Sequence, residues 1–98
     1  MRDRVYRNGD GAGLLLDVQA DLLDELATRA VVPLLPLSHA PPLVRHLNPT
    51  FTVAGEPYAM MTNYIAAVPA SELSHEVGSL AHHHADITAA LDFLLAGV

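Results

Sequence analysis

The chain has 98 residues, a formal net charge of −6, 51% hydrophobic residues and no cysteine. That composition supports one modest core. It excludes a disordered chain and any disulfide or thiolate metal site, and it lacks the basic footprint of a nucleic-acid binder, so no direct nucleic-acid binding is expected of the chain alone. No apolar run approaches the roughly 18 to 20 residues of a membrane span. Met1-Arg2-Asp3-Arg4 opens without an apolar signal core, so a cytoplasmic protein is expected. All five basic residues are Arg, and a positively charged protein surface is the natural partner for so acidic a chain.

Taken in chain order, Arg2 to Arg7 reads as a strand through Val5 and Tyr6, and Asn8 to Gly13 as a turn, because Asn-Gly and repeated Gly supply positive φ cheaply. Gly13 to Ala20 alternates Leu14, Leu16 and Val18 against Leu15, Asp17 and Gln19, which predicts a strand buried on at least one face and a β-hairpin with the first. Asp21 to Arg29 is locally ambiguous. Leu22, Leu23 and Leu26 among acids fit one or two amphipathic helical turns, with Asp21 as a possible cap. Ala30 to Leu37 is an apolar run interrupted by Pro33 and Pro36, so this strand is expected at an edge or bulged.

Ser38 to Asn48, with Pro41-Pro42, reads as a solvent-facing loop. Pro49 to Val53 and Pro57 to Asn63 read as strands joined by a turn at Ala54-Gly55-Glu56, and Tyr64 to Val68 as a further strand closed by Pro69. Leu73 to Leu80 reads as polar and irregular. From His82 onward Ile87, Leu91, Leu94 and Leu95 recur at helical spacing, with Phe93 outside that stripe, Ser79 as the nearest N-cap and Gly97 as the C-terminal cap. Short strands followed by one helix predict a mainly β fold, a small antiparallel sheet or barrel with a terminal helix.

The chemistry of catalysis is absent from the pattern. His75-Glu76 lacks the second His of a zinc-protease motif. There is no Lys for a phosphate-binding loop, and no Ser has a nucleophile-elbow context. Three consecutive histidines, His82 to His84, point about 100° apart on a helix and cannot chelate one ion from it. No enzyme, cofactor or metal site is therefore expected, the lesser alternative being a histidine site that His75 or His46 completes in three dimensions; the function expected is the grip of one protein on another.

Certain segments, in order, carry a resemblance: Leu16-Asp17-Val18-Gln19-Ala20-Asp21-Leu22-Leu23-Asp24, then Arg29-Ala30-Val31-Val32-Pro33-Leu34, Met60-Met61-Thr62, Ala67-Val68-Pro69, Glu76-Val77, Asp86-Ile87, and Gly97 before an aliphatic end. The chain resembles the CcdB family of toxins along essentially its whole length. The resemblance implies an SH3-like small barrel with an antiparallel sheet extension and a C-terminal helix, in one domain over residues 1–98. It also makes Asp21 to Arg29 a non-helical connection, against the local pattern. It implies a homodimer without catalytic residues, the toxin of a type II toxin–antitoxin pair. Such a toxin binds the A subunit of DNA gyrase, traps the cleaved complex, is neutralised by a CcdA-like antitoxin, and joins that antitoxin in repressing its own operon.

On that resemblance the gyrase-binding residues are Leu22, Leu23, Asp92, Phe93, Ala96, Gly97 and Val98. The best-known member ends in Trp-Gly-Ile where this chain has Ala96-Gly97-Val98. The lost Trp removes a stacking contact with a gyrase Arg worth on the order of 2 kcal/mol. Phe93 is a candidate substitute, or a residue of the dimer interface. Leu22 and Leu23 are either contact residues or ordinary core. The other expectation consistent with Ala96 is a CcdB-like module that binds an antitoxin but no longer poisons gyrase.

Overall fold

A computed structural model describes residues 1–9, 11 and 13–97. Among these residues seven short strands precede one α-helix: β1 (Arg4–Arg7), β2 (Leu14–Asp17), β3 (Thr28–Pro36), β4 (Thr50–Val53), β5 (Glu56–Met60), β6 (Ala66–Pro69), β7 (Glu76–Ser79) and α1 (His84–Ala96). All pairings are antiparallel; the sheet runs β4-β5-β3-β2-β1-β7, with β6 paired to β3 off that path. The two ends of the sheet curl toward each other, so that a Cβ on Gly78 of β7 would stand 4.0 Å from Val53 Cγ1 of β4. The result is a half-barrel with a C-terminal helix, in keeping with a small SH3-like barrel.

Alternation places the core. Val5, Leu16, Val32, Leu34, Phe51 and Met60 point into the curl, and Leu80, Ile87 and Ala90 close it from the helix side. β2 is buried on both faces: Leu16 faces the core, while Leu15 and Asp17 face the reverse side, where Ala70, Glu72 and Leu73 lie over the sheet. Gly13 is obligatory at the entry to β2, with φ +89° and a would-be Cβ 2.4 Å from the Leu34 carbonyl oxygen. The β4–β5 hairpin turns through Ala54 and Gly55, both at positive φ, a geometry that matches the twist of the two strands.

The structure corrects the reading of β3. It is the most connected strand of the sheet, paired to β2 on one side and to β6 and β5 in succession on the other. Its prolines are tolerated by position. Pro33 falls at the handover from β6 to β5, where its carbonyl accepts the Met61 N–H at 2.9 Å and the missing donor leaves no ladder bond empty. Pro36 is the strand's last residue.

A second correction is β7, within a segment whose sequence reads as irregular. Glu76, Val77 and Ser79 are exposed, and among the described residues the strand pairs only with β1, through an irregular register, so no alternation marks it. The connection from Asp21 to Arg29 holds only one 3-10 turn, Asp21–Leu23, before β3 begins, as the resemblance implied. Asp21 does not cap it but accepts the Arg2 N–H at 2.9 Å.

The Ser38 to Asn48 loop is largely exposed, but its end is pinned: buried Asn48 accepts the Val44 N–H and donates to the Met60 carbonyl, while Thr62 Oγ1 donates to the Leu47 carbonyl. At the helix start Ser79 is not the cap expected of it: Leu80 holds that position for the 3-10 turn Ala81–His83 and His83 for α1, while Ser79 Oγ accepts the Ala81 N–H. Gly97 caps the far end in the left-handed region, φ +75°, with its N–H on the Phe93 carbonyl at 2.9 Å. Leu95 leaves the expected apolar stripe and is 80% exposed, while Ala90 takes a core position.

Candidate partner-binding surface

The residues expected to touch a partner lie on two elements. Asp92, Phe93, Ala96 and Gly97 occupy the last turns of α1 and its cap. Asp92, Ala96 and Gly97 are exposed; Phe93 is half-buried, its ring 6.0 Å from that of His46 and tilted by 57°. Val98 lies outside the described residues. Leu22 and Leu23 sit on the β2–β3 connection, and Leu22 is 93% exposed. Ordinary core packing is thereby excluded for Leu22, and Leu23 is about half exposed. Leu26 beside them and Leu95 on α1 are exposed as well, although the helical spacing of the sequence assigns Leu95 to the core.

An apolar loop stays ordered in water only if something holds its ends, and here a polar cluster does so. Asp17 is 0% exposed and Arg29 is 5% exposed. Arg29 donates to Asp17 Oδ2 from Nε at 3.0 Å and from Nη2 at 2.8 Å, and from Nη1 to Asp24. The Gln19 N–H donates to Asp17 Oδ1 at 3.1 Å, and the Met1 amine reaches Oδ2 at 3.1 Å. Gln19 in turn accepts the Ala30 N–H and donates to the Leu23 carbonyl. The Asp-Val-Gln-x-Asp segment is thus a loop-anchoring device: two buried residues and one amide fix both ends of the segment that displays Leu22 and Leu23.

Burial acts to lower the affinity of Arg29 for its proton, but hydrogen bonds to Asp24 and Asp17 outweigh it and the pKa is raised. Its guanidinium is therefore committed to two carboxylates. It lines a cavity of about 310 Å³ with Tyr6, Asp17, Asp24, Ala70 and Leu73, and burial raises the pKa of the Tyr6 phenol there, with Glu76 and Asp17 adding to the effect.

The three histidines separate. His84 Nδ1 lies 2.6 Å from Oδ2 of buried Asp3, His83 packs on Phe51 with ring centres 4.8 Å apart, and His82 stacks on His83. Among the described residues no three or more His, Asp or Glu side chains converge as a metal site would require. Among the described residues no helix is long and apolar enough to cross a membrane.

The half-barrel and the terminal helix define a small SH3-like fold that displays exposed leucines beside a buried charge cluster. The profile of the CcdB family, described as CcdB protein, matches residues 2–97, and the chain belongs to that family. Membership places it among the toxins of type II toxin–antitoxin systems. A solved structure described as an endoribonuclease in complex with its cognate antitoxin, from a mycobacterial species, superposes with a TM-score of 0.77 at 21% identity, over 97% of this chain and 93% of that one. At that identity the likeness speaks for the fold.

Proposed function

We propose that this chain acts by binding the A subunit of DNA gyrase and trapping its cleaved complex with DNA, and that a CcdA-like antitoxin neutralises it. The observation that carries the reading is the end of α1. Asp92 and Ala96 are exposed on its last turns, and exposed Gly97 caps the helix in the left-handed region. Leu22 and Leu23, held out on the anchored loop, are the second contact region. Phe93, half-buried with its ring 6.0 Å from that of His46, joins this end of the helix as a contact residue in place of the absent Trp or as part of the dimer interface. The active unit is a cytoplasmic homodimer that does not bind nucleic acid alone, and with the antitoxin it represses its own operon.

The action is non-catalytic. The net charge of −6 disfavours a polyanionic substrate such as RNA, and the buried Arg29 guanidinium is committed to Asp17 and Asp24.

Ala96 favours a second reading, an antitoxin-binding module without gyrase poisoning. A small exposed side chain there gives up on the order of 2 kcal/mol of cation–π contact. One assay separates the two. Purified protein is mixed with gyrase, supercoiled DNA and ATP, and trapped double-strand breaks are scored, with a deletion of residues 97 and 98 as control. Breaks that vanish in the deletion support the poison. No breaks at high protein concentration, with a tight antitoxin complex retained, support the module.

A further inference from the structure

The chain has three asparagines, each followed by a residue that sets a different chemistry. Asn48 precedes Pro49, which has no backbone N–H, and its carboxamide is buried in hydrogen bonds to Val44, Met60 and Asn63. Asn63 precedes Tyr64, whose N–H is held by the Met61 carbonyl at 2.8 Å. Asn8 precedes Gly9, which is exposed; a Cβ on Gly9 would meet nothing within 4 Å, and its N–H donates to no acceptor among the described residues. The Asn8 carboxamide folds over the turn, close enough to Gly11 that a Cβ there would lie 2.8 Å from Nδ2. No hydrogen bond from a described residue ties it down.

We infer that Asn8 is a site of spontaneous covalent modification, an unhindered Asn-Gly pair displayed on the β1–β2 turn. The Gly9 backbone nitrogen, having lost its proton to water or hydroxide, attacks Asn8 Cγ. A C–N bond forms, the Cγ–Nδ2 bond breaks, and ammonia leaves with a proton from solvent. Water then opens the cyclic imide at either carbonyl, giving aspartate or isoaspartate. Nothing is oxidised or reduced, and the only co-reactant is water.

The products alter this molecule in two ways. A carboxylate appears at position 8, and Asn8 lines a cavity of about 280 Å³ together with Glu72, so two like charges come to share one partly enclosed space. Isoaspartate also lengthens the backbone by one methylene immediately after Arg7, whose register partner is Leu14. The hairpin that delivers Leu15 and Leu16 to the two buried faces is loosened from its turn end. The inference is independent of the gyrase reading.

The test is peptide mapping by mass spectrometry of the whole folded protein, held at mildly alkaline pH. The expected result is a gain of one dalton confined to the peptide carrying Asn8, split between aspartate and isoaspartate, with Asn48 and Asn63 unchanged. Gly9→Ala, which the open space around Gly9 accommodates, slows the gain several-fold without lowering the melting temperature. The inference is overturned if Asn8 stays intact in the folded protein while a synthetic peptide of residues 4–16 converts. It is also overturned if the gain maps to Asn48 or Asn63.

Discussion

At the scale of single residues, Asp17 is the most consequential side chain outside the apolar core. It is fully buried, and its charge is compensated chiefly by Arg29. Removing one partner strands the other in low dielectric, which costs about 3–5 kcal/mol, whereas removing both does not. Arg29→Ala is expected to lower urea stability by that amount, and Asp17→Ala combined with Arg29→Ala by clearly less than the sum of the two single changes. Simple additivity in that double-mutant cycle would refute the account. Tyr6 adds a pH dependence. Its folded pKa is raised by burial, so the unfolded chain loses the phenol proton first. The stability it supports is complete below the ordinary tyrosine value of about 10 and is lost as pH rises through the higher folded value. Tyr6→Phe should flatten the alkaline limb of a stability–pH profile, and an unchanged limb would assign the loss to another group. Neither role is legible in the sequence, because pairing Asp17 with Arg29 requires the β2–β3 register. Once Asp17 stands opposite Val31, Arg29 falls two residues away on the same face.

At the scale of elements, legibility follows contrast between faces. The β1–β2 hairpin and α1 announce themselves because apolar residues recur at the period of the element. β7 does not, since an exposed strand paired on one side has no apolar alternation to read. The position of β3 is obscured by its prolines. Proline excludes a strand from the sheet interior only where the ladder needs its N–H, and Pro33 sits where the neighbouring strand changes. The helical spacing overreaches by one position at its end: Leu95 fits the period but is 80% exposed, whereas Ile87 and Ala90 are buried. These assignments predict a sharp contrast. Ile87→Ala, at a fully buried position, should cost about 2–5 kcal/mol. Leu95→Ala should leave the melting temperature unchanged and affect partner binding alone. Gly13→Ala should cost about 2 kcal/mol or more, since it adds left-handed strain to a backbone clash with Leu34, while Gly9→Ala costs almost nothing.

At the scale of the molecule, an apolar composition in a short chain leaves surface that one protomer does not bury. The radius of gyration, 12.4 Å, is that expected of a compact domain of this length. Yet Tyr64 and Ile65 are exposed, and the strand that follows them, β6, pairs only with β3. An apolar patch beside an open strand edge is a liability in an isolated protomer, and association is one way to cover such a face. This surface is not legible in the sequence, since a strand pattern does not tell which edge stays open. If a second copy covers it, folding and association are linked, and the melting temperature must rise with protein concentration by mass action. The same sample should sediment as twice the 10.5 kDa chain. Ile65→Lys should then release monomers, with a lower melting temperature that no longer depends on concentration. A 10.5 kDa species at every concentration, with a constant melting temperature, would leave this face to the antitoxin or gyrase and remove the homodimer from the proposed mechanism.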